Sequence, residues 1–108
     1  MIQLPVPIAA YLRAANANDT PALNDCFTAD AVVQDEAKEY RGIEAIAAWK
    51  AETNARYHPT AEAQRIEGAG QNYRLYALVS GDFPGSPAML TYDFVLRGDR
   101  IAALAIGV

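Results

Sequence analysis

Cysteine, histidine and tryptophan each occur only once in this sequence, which limits the chemistry open to the chain. Cys26 has no second thiol with which to form an internal disulfide or a metal site. Its place in the segment LNDCF suits a small buried side chain on a helix better than a nucleophile. The sequence contains no Gly-rich phosphate loop, no metal-binding spacing of histidine and glutamate, and no Ser-His-Asp set. We therefore expect neither a metal nor a cofactor.

Basic residues are also scarce, since nine of them face thirteen acidic residues and give a net charge of −4. They form no cluster that could neutralise successive phosphates, so nucleic acid is not an expected partner. No apolar stretch reaches the roughly 20 residues that a membrane span needs. The opening segment MIQLPVPIAAYLRAAN has no basic region before its apolar part. These features predict a cytoplasmic protein without a membrane partner.

Hydrophobic residues make up 52% of the 108 residues, which is enough for one core. The length predicts a single domain over residues 1–108. Apolar residues recur every three or four positions from Val6 to Asn18, which predicts a first helix. A short second helix, capped by Asp19 or Thr20, is expected to end near Phe27. The segment GIEAIAAWKAET, residues 42–53, predicts a third helix.

Five segments have the character of strands, and four of them follow one another after the third helix. They are Ala31–Asp35, Thr60–Glu67, Tyr73–Ser80, Met89–Leu96 and Arg100–Ile106. The order α-α-β-α-β-β-β-β predicts an α+β domain, with an antiparallel sheet and helices on one face. Apolar residues occupy both faces of the strands, so we expect the second face to meet another copy in a homodimer.

Three segments together resemble the SnoaL-like branch of the nuclear transport factor 2-like superfamily over nearly the whole chain. They are FTADAVVQD, YRGIEAIAAW and YDFVLRGDRIAAL. The resemblance implies a cystatin-like cone, in which a curved antiparallel sheet wraps around the three helices of the N-terminal half and leaves a pocket. Members of the superfamily include isomerases, dehydratases, polyketide cyclases and proteins without a known reaction. Function must therefore be argued from individual residues.

Aligned with ketosteroid isomerase, three residues fall on functional positions of that enzyme. The segment AYLRAANAND places Tyr11 at its oxyanion-hole tyrosine, AVVQDE places Asp35 at its general base, and TYDFVL places Asp93 at its protonated aspartic acid. The resemblance implies a cofactor-free isomerase, cyclase or dehydratase that moves a proton beside a carbonyl group. The polar segment DEAKEY favours a substrate smaller or more polar than a steroid.

Four further residues are expected to bind the small apolar or mixed-polarity substrate. Trp49 and His58 are candidates for the pocket wall and mouth, Val33 lies on the same side of its strand as Asp35, and Val95 is an apolar neighbour of Asp93. Burial among such neighbours would keep Asp93 protonated near neutral pH.

Structural roles remain open for these residues. Tyr11 and Trp49 are also typical core aromatics, and Asp35 and His58 could cap a turn or a helix end. Asp93 could instead pair with Arg13, with Arg97 or with a basic group of another chain. The alternative function is a module of the same fold that binds a hydrophobic ligand, or that dimerises, without catalysis.

Overall fold

Three helices are formed by the N-terminal half of the chain, and a computed structural model describes them within residues 2–107. They are α1 (Val6–Ala17), α2 (Thr20–Asn24) and α3 (Gly42–Tyr57). Helix α1 ends where Asn18 adopts a left-handed conformation with φ of 57°. The side chain of Asp19 then accepts a hydrogen bond from the backbone N–H of Ala22 and caps α2.

Six strands form one curved, mixed sheet that carries the helices on one side. They are β1 (Phe27–Asp35), β2 (Lys38–Arg41), β3 (Thr60–Ala69), β4 (Asn72–Ser80), β5 (Ala88–Arg97) and β6 (Arg100–Gly107). Their order is β2-β1-β6-β5-β4-β3. All neighbours pair antiparallel except β1 and β6, which run parallel. The predicted α+β class is thereby confirmed, with one parallel pairing that the sequence did not indicate.

Strand β2 was not predicted, and β1 begins at Phe27, four residues before the predicted start. The two strands are joined by Glu36 and Ala37, whose φ angles are 52° and 64°. Such two-residue turns normally carry Asn-Gly or Asp-Gly, because glycine and asparagine adopt positive φ at low cost. The sequence at this point therefore lacks the usual signal of a hairpin.

The core lies between the helices and the face of the sheet that they cover. Strand alternation directs Leu75, Ala77, Phe94 and Leu104 toward the helices, and all four are buried. Tyr11 of α1 packs edge-on against Phe94, with ring centroids 5.7 Å apart. This contact fixes α1 across the middle of the sheet.

The opposite side, here called the outer face, is represented by Arg74, Tyr76, Met89, Asp93 and Val95 of β4 and β5. It mixes exposed apolar groups with paired charges: Met89 and Val95 are 50% and 40% exposed, and Arg74 binds Asp93. Within residues 2–107, no helix is both long enough and apolar enough to cross a membrane.

Candidate active site

A cavity of about 660 Å³ lies between the helices and the covered face of the sheet. This volume is in the range of small-molecule sites. Its polar lining comes from residues of α1, α3 and β5 and from the β1–β2 hairpin, namely Tyr11, Asn16, Asp35, Glu36, Lys50, Thr53, Tyr57 and Tyr92. Apolar side chains such as Leu12, Val79, Leu90 and Ile106 supply most of the remaining wall. The cavity is thus an apolar chamber with a few polar groups.

Asp35 reaches the cavity from the last position of β1. Alternation along the strand places it on the same side as Ala31 and Val33, which are fully buried, as the sequence predicted. One carboxylate oxygen, Oδ2, accepts a hydrogen bond from the indole Nε1–H of Trp49 at 3.1 Å. Burial raises the pKa of Asp35 above its ordinary value, and the Trp49 hydrogen bond partly opposes this. Asp35 is therefore a stronger base than an exposed aspartate, and its carboxylate is oriented by the hydrogen bond from Trp49.

Tyr11 and Tyr92 line the same cavity, with their ring centroids 6.4 Å apart. Burial raises the pKa of Tyr11 well above its usual range and that of Tyr92 to about 12, with the charge of Asp35 adding to both shifts. Both hydroxyls are therefore protonated at neutral pH. Neither makes a hydrogen bond within residues 2–107, and neither is a sealed, unpaired polar atom, so both face the open cavity. They are free to donate to a ligand.

Asp93 does not join this group, and the expectation that it meets Tyr11 and Asp35 in one chamber is wrong. It lies on the outer face, where Arg74 donates from Nε and a terminal nitrogen to its two carboxylate oxygens at 2.6 and 3.0 Å. The alternative of an ion pair is correct, although the partner is Arg74 rather than Arg13 or Arg97. Both carboxylate oxygens of Asp93 are therefore engaged by Arg74 on the outer face, and Asp93 is not available as a donor in the cavity.

The expected substrate contacts are met only in part. Trp49 lines the cavity. Val95 instead lies on the outer face beside Asp93, because the two residues are two positions apart on β5 and therefore point to the same side of the sheet. Val33 is completely buried in the core. His58 ends α3 in a left-handed conformation, with a largely exposed side chain whose Nδ1 lies 3.1 Å from Asp82. It is the capping residue of the alternative interpretation.

Tyr92 and Lys50 line the cavity but were not predicted as site residues, although the sequence pattern indicates both. Leu90, Tyr92 and Phe94 alternate toward the helices, and this pattern alone selects Tyr92 in place of Asp93. Lys50 follows Trp49 on α3 and precedes Thr53 by three positions, so it shares the helix face that borders the cavity.

The rim of the cavity is tied together by backbone contacts. Asn16 of α1 exchanges two hydrogen bonds of 2.9 Å with the backbone of Ala61 in β3. At the other side, Gly81 approaches the end of α3 so closely that an added Cβ would lie 2.7 Å from the carbonyl oxygen of Tyr57. Glycine is needed there because a side chain would push the rim apart.

Among residues 2–107, no three histidine, cysteine, aspartate or glutamate side chains are arranged to hold a metal ion. The polar groups of the cavity are instead one carboxylate held by an indole, two tyrosine hydroxyls and a lysine. A carboxylate beside hydroxyl donors in an apolar chamber can remove a proton from carbon and stabilise the charge that forms on oxygen.

The family model of the SnoaL-like domain matches residues 8–103, and the chain belongs to this family. The predicted membership of the nuclear transport factor 2-like superfamily is confirmed. No curated protein matches the sequence.

Solved structures show the same fold. A protein described as a "putative polyketide cyclase" from Sinorhizobium meliloti is 40% identical, with a TM-score of 0.93 over 95% of this chain and 94% of that one. A hypothetical protein with a ketosteroid isomerase-like fold from Catenulispora acidiphila, crystallised with trimethylamine, has a TM-score of 0.86 at 24% identity over 98% of this chain and 87% of that one. A cystatin-fold protein from Novosphingobium aromaticivorans has a TM-score of 0.77 at 20% identity, covering 93% of each chain.

Proposed function

We propose that the chain is a cofactor-free isomerase, cyclase or dehydratase that moves a proton beside the carbonyl group of a small molecule. The observation that carries this proposal is the composition of the cavity wall. The Asp35 carboxylate shares this wall with the hydroxyls of Tyr11 and Tyr92, which make no hydrogen bond to any of residues 2–107. The similarity to the protein described as a "putative polyketide cyclase" supports the same class of chemistry.

In this reaction Asp35 removes a proton from the carbon next to the carbonyl group. The electron pair of the broken C–H bond moves into the carbonyl system and leaves an enolate oxygen, which accepts hydrogen bonds from Tyr11 and Tyr92. Asp35 then returns the proton to another carbon of the substrate. The hydrogen bond from Trp49 keeps the carboxylate directed at the reacting carbon, and the raised pKa of Asp35 strengthens it as a base.

The substrate that suits this cavity is a small carbonyl compound of mixed polarity. Apolar side chains form most of the wall, but Glu36, Lys50 and Thr53 add polar groups away from the two tyrosines. A wholly apolar molecule of steroid size would leave these groups buried without partners, which is costly.

The test is exchange of carbon-bound hydrogen for deuterium in small ketones such as cyclohexanone, followed by NMR. Wild-type chain should accelerate the exchange, and Asp35→Asn should remove about 10² to 10⁴ of that acceleration, as expected for loss of a general base. Asp93→Asn is the matched control, because its carboxylate lies on the outer face.

Equal exchange by wild type and Asp35→Asn would remove Asp35 from the mechanism. If no member of a broad ketone panel exchanges faster with wild type than with buffer, while binding is still detected by NMR, the chain is a ligand-binding module of the same fold.

The expected homodimer is likewise proposed here, through the outer face. Met89 and Val95 expose apolar surface next to the Arg74–Asp93 pair, and such patches favour association. Size-exclusion chromatography with light scattering should give twice the monomer mass at micromolar concentration, and Val95→Glu should return the monomer. A wild-type monomer would contradict the proposal. The cytoplasmic location stays a prediction.

A further inference from the structure

Among residues 2–107, Lys50 is the one cationic side chain that lines the cavity, and the proton transfer described above does not use it. Its Nζ lies 5.9 Å from the centroid of the Trp49 ring. The same indole donates a hydrogen bond to Asp35. Within residues 2–107 Lys50 takes part in no ion pair, although Asp35 and Glu36 line the same chamber. The amine and the Asp35 carboxylate are therefore separated and border the same free volume.

The surroundings of this amine favour its neutral, nucleophilic form. Burial lowers the pKa of Lys50 to about 8, and the charge of Asp35 opposes the shift without cancelling it. The other titratable groups that border the cavity are Tyr11, Glu36, Tyr57 and Tyr92. A free lysine has a pKa near 10.4, so at neutral pH the neutral fraction of Lys50 is higher by on the order of a hundredfold. A desolvated lysine of this kind is the type that attacks carbonyl carbons.

We propose that Lys50 forms a protonated Schiff base with the carbonyl carbon of the substrate, and that Asp35 removes its proton from this iminium. The inference deepens the proposed function: the same proton is removed by Asp35, but the intermediate is an enamine on Lys50 in place of the enolate. Its covalent step rests on the proposed function only for the identity of the substrate as a carbonyl compound.

The covalent step balances without a cofactor. The nitrogen of Lys50 donates its electron pair to the carbonyl carbon, a C–N bond forms, and the C=O π pair moves to oxygen. That oxygen receives one proton from the attacking nitrogen and a second from protonated Asp35 or from water, and it leaves as water. The remaining C=N bond carries a positive charge on nitrogen, which accepts the electrons when Asp35 removes the neighbouring proton and gives an enamine. Tyr11 and Tyr92 hold the oxygen until it departs.

The sequence provides its own control, because Lys38 and Lys50 are its only lysines. The full chain is incubated with benzaldehyde and sodium cyanoborohydride at neutral pH, and benzylated peptides are located by mass spectrometry. Benzaldehyde has no hydrogen on the carbon beside the carbonyl group, so labelling reports the amine step alone. Lys50 should be modified on the order of a hundredfold faster than Lys38, which is exposed on β2. Lys38→Arg should leave the rate at Lys50 unchanged.

Equal labelling of the two lysines, or the same amount of adduct in Lys50→Arg, would overturn the proposal. Lys50→Arg keeps the positive charge, so it separates imine formation from simple attraction of an anionic ligand. If Lys50 is not labelled but Asp35-dependent exchange of ketone hydrogens persists, the Schiff base is wrong and the proposed function stands. If Lys50 is labelled selectively and no ketone exchanges, the Schiff base stands and the proton transfer is wrong.

Discussion

On the outer face of the sheet, the hydroxyl of Tyr76 donates to Glu67 at 2.9 Å, and Arg74 binds both carboxylate oxygens of Asp93. On the cavity side, the hydroxyls of Tyr11 and Tyr92 make no hydrogen bond within the part of the chain that the structure describes, residues 2–107. The tyrosine hydroxyl on the outer face is thus hydrogen-bonded to protein, whereas those on the cavity side are not bonded to any described residue. Water would satisfy an unpaired hydroxyl on the outer face at no cost, yet the Tyr76 hydroxyl is hydrogen-bonded there. The hydroxyls of Tyr11 and Tyr92, inside the cavity, make no such bond within residues 2–107.

Charged side chains differ between the faces in the same way. The guanidinium of Arg65 lies 4.4 Å from the Tyr76 ring centroid and also binds Glu67, so the outer face forms a connected network. In the cavity, Lys50 forms no ion pair with any described residue, and Asp35 has a neutral indole as its hydrogen-bond donor. Unpaired polar groups in a buried chamber cost stability, and such groups cluster at functional sites. This contrast is the physical reason for assigning function to the cavity side.

Removing a large side chain from each face should give the largest difference in stability. Phe94→Ala deletes a core ring that packs on Tyr11 and should cost about 3–5 kcal/mol in free energy of unfolding. Val95→Ala, the next residue, should cost no more than about 1 kcal/mol because its side chain is 40% exposed. Urea unfolding followed by circular dichroism measures both, and equal losses would show that Phe94 is not a core residue.

Removing one tyrosine hydroxyl from each face should separate catalysis from structure. Tyr92→Phe deletes a proposed donor to the enolate oxygen, or to the oxygen that leaves as water, and should slow ketone exchange roughly a hundredfold. Tyr76→Phe deletes a hydroxyl that binds Glu67 on the outer face, away from the cavity, so the exchange rate should not change. Equal rates in the two variants would exclude Tyr92 from the reaction.

The pH dependence of stability should reveal the buried amine. Because the pKa of Lys50 is lowered to about 8 in the folded chain, the unfolded chain binds more protons between about pH 8 and 10. The free energy of unfolding should therefore rise with pH across this window. Lys50→Met should remove this rise and increase the free energy of unfolding by roughly 3 kcal/mol at pH 7, whereas Lys38→Met should change neither quantity. Urea titrations at a series of pH values test this, and an unchanged slope in Lys50→Met would show that the amine is solvated.

Breaking the ion pair on the outer face should have the smallest effect. In the monomeric chain, Asp93→Asn should cost at most about 1 kcal/mol, because both partners are roughly half exposed and water replaces the lost contact. The loss should shrink in high salt, where exposed charges are screened. A loss of several kcal/mol in the monomer, independent of salt, would show that Asp93 is not exposed to solvent.

Much of the fold could be predicted because hydrophobic periodicity reports it directly. The three helices and the four consecutive strands follow from spacing alone, and the side of β1 that carries Asp35 follows from alternation. Strand β2 could not be predicted, because it is four residues long and its turn uses Glu36 and Ala37 at positive φ. The parallel pairing of β1 with β6 depends on contacts between distant parts of the chain.

The candidate site was only half predictable. Tyr11 and Asp35 were identified by resemblance and by their position in amphipathic elements, and both line the cavity. The prediction for Asp93 was wrong because it rested on the match to an aspartic acid of ketosteroid isomerase. Strand alternation instead directs Tyr92 into the cavity and Asp93 to the outer face. Lys50 was missed because a charged residue on a helix is usually assigned to solvent, and only the assembled cavity shows otherwise.

Trp49, the only tryptophan of the chain, bonds to Asp35 and lies beneath the Lys50 amine. Its ultraviolet emission therefore comes entirely from one wall of the cavity. Ionisation of the carboxylate, capture of an aldehyde by the amine or arrival of a ligand should each alter the colour or intensity of that emission. The native chain thus carries an optical reporter of its own site, and unknown substrates can be screened against it without a dye.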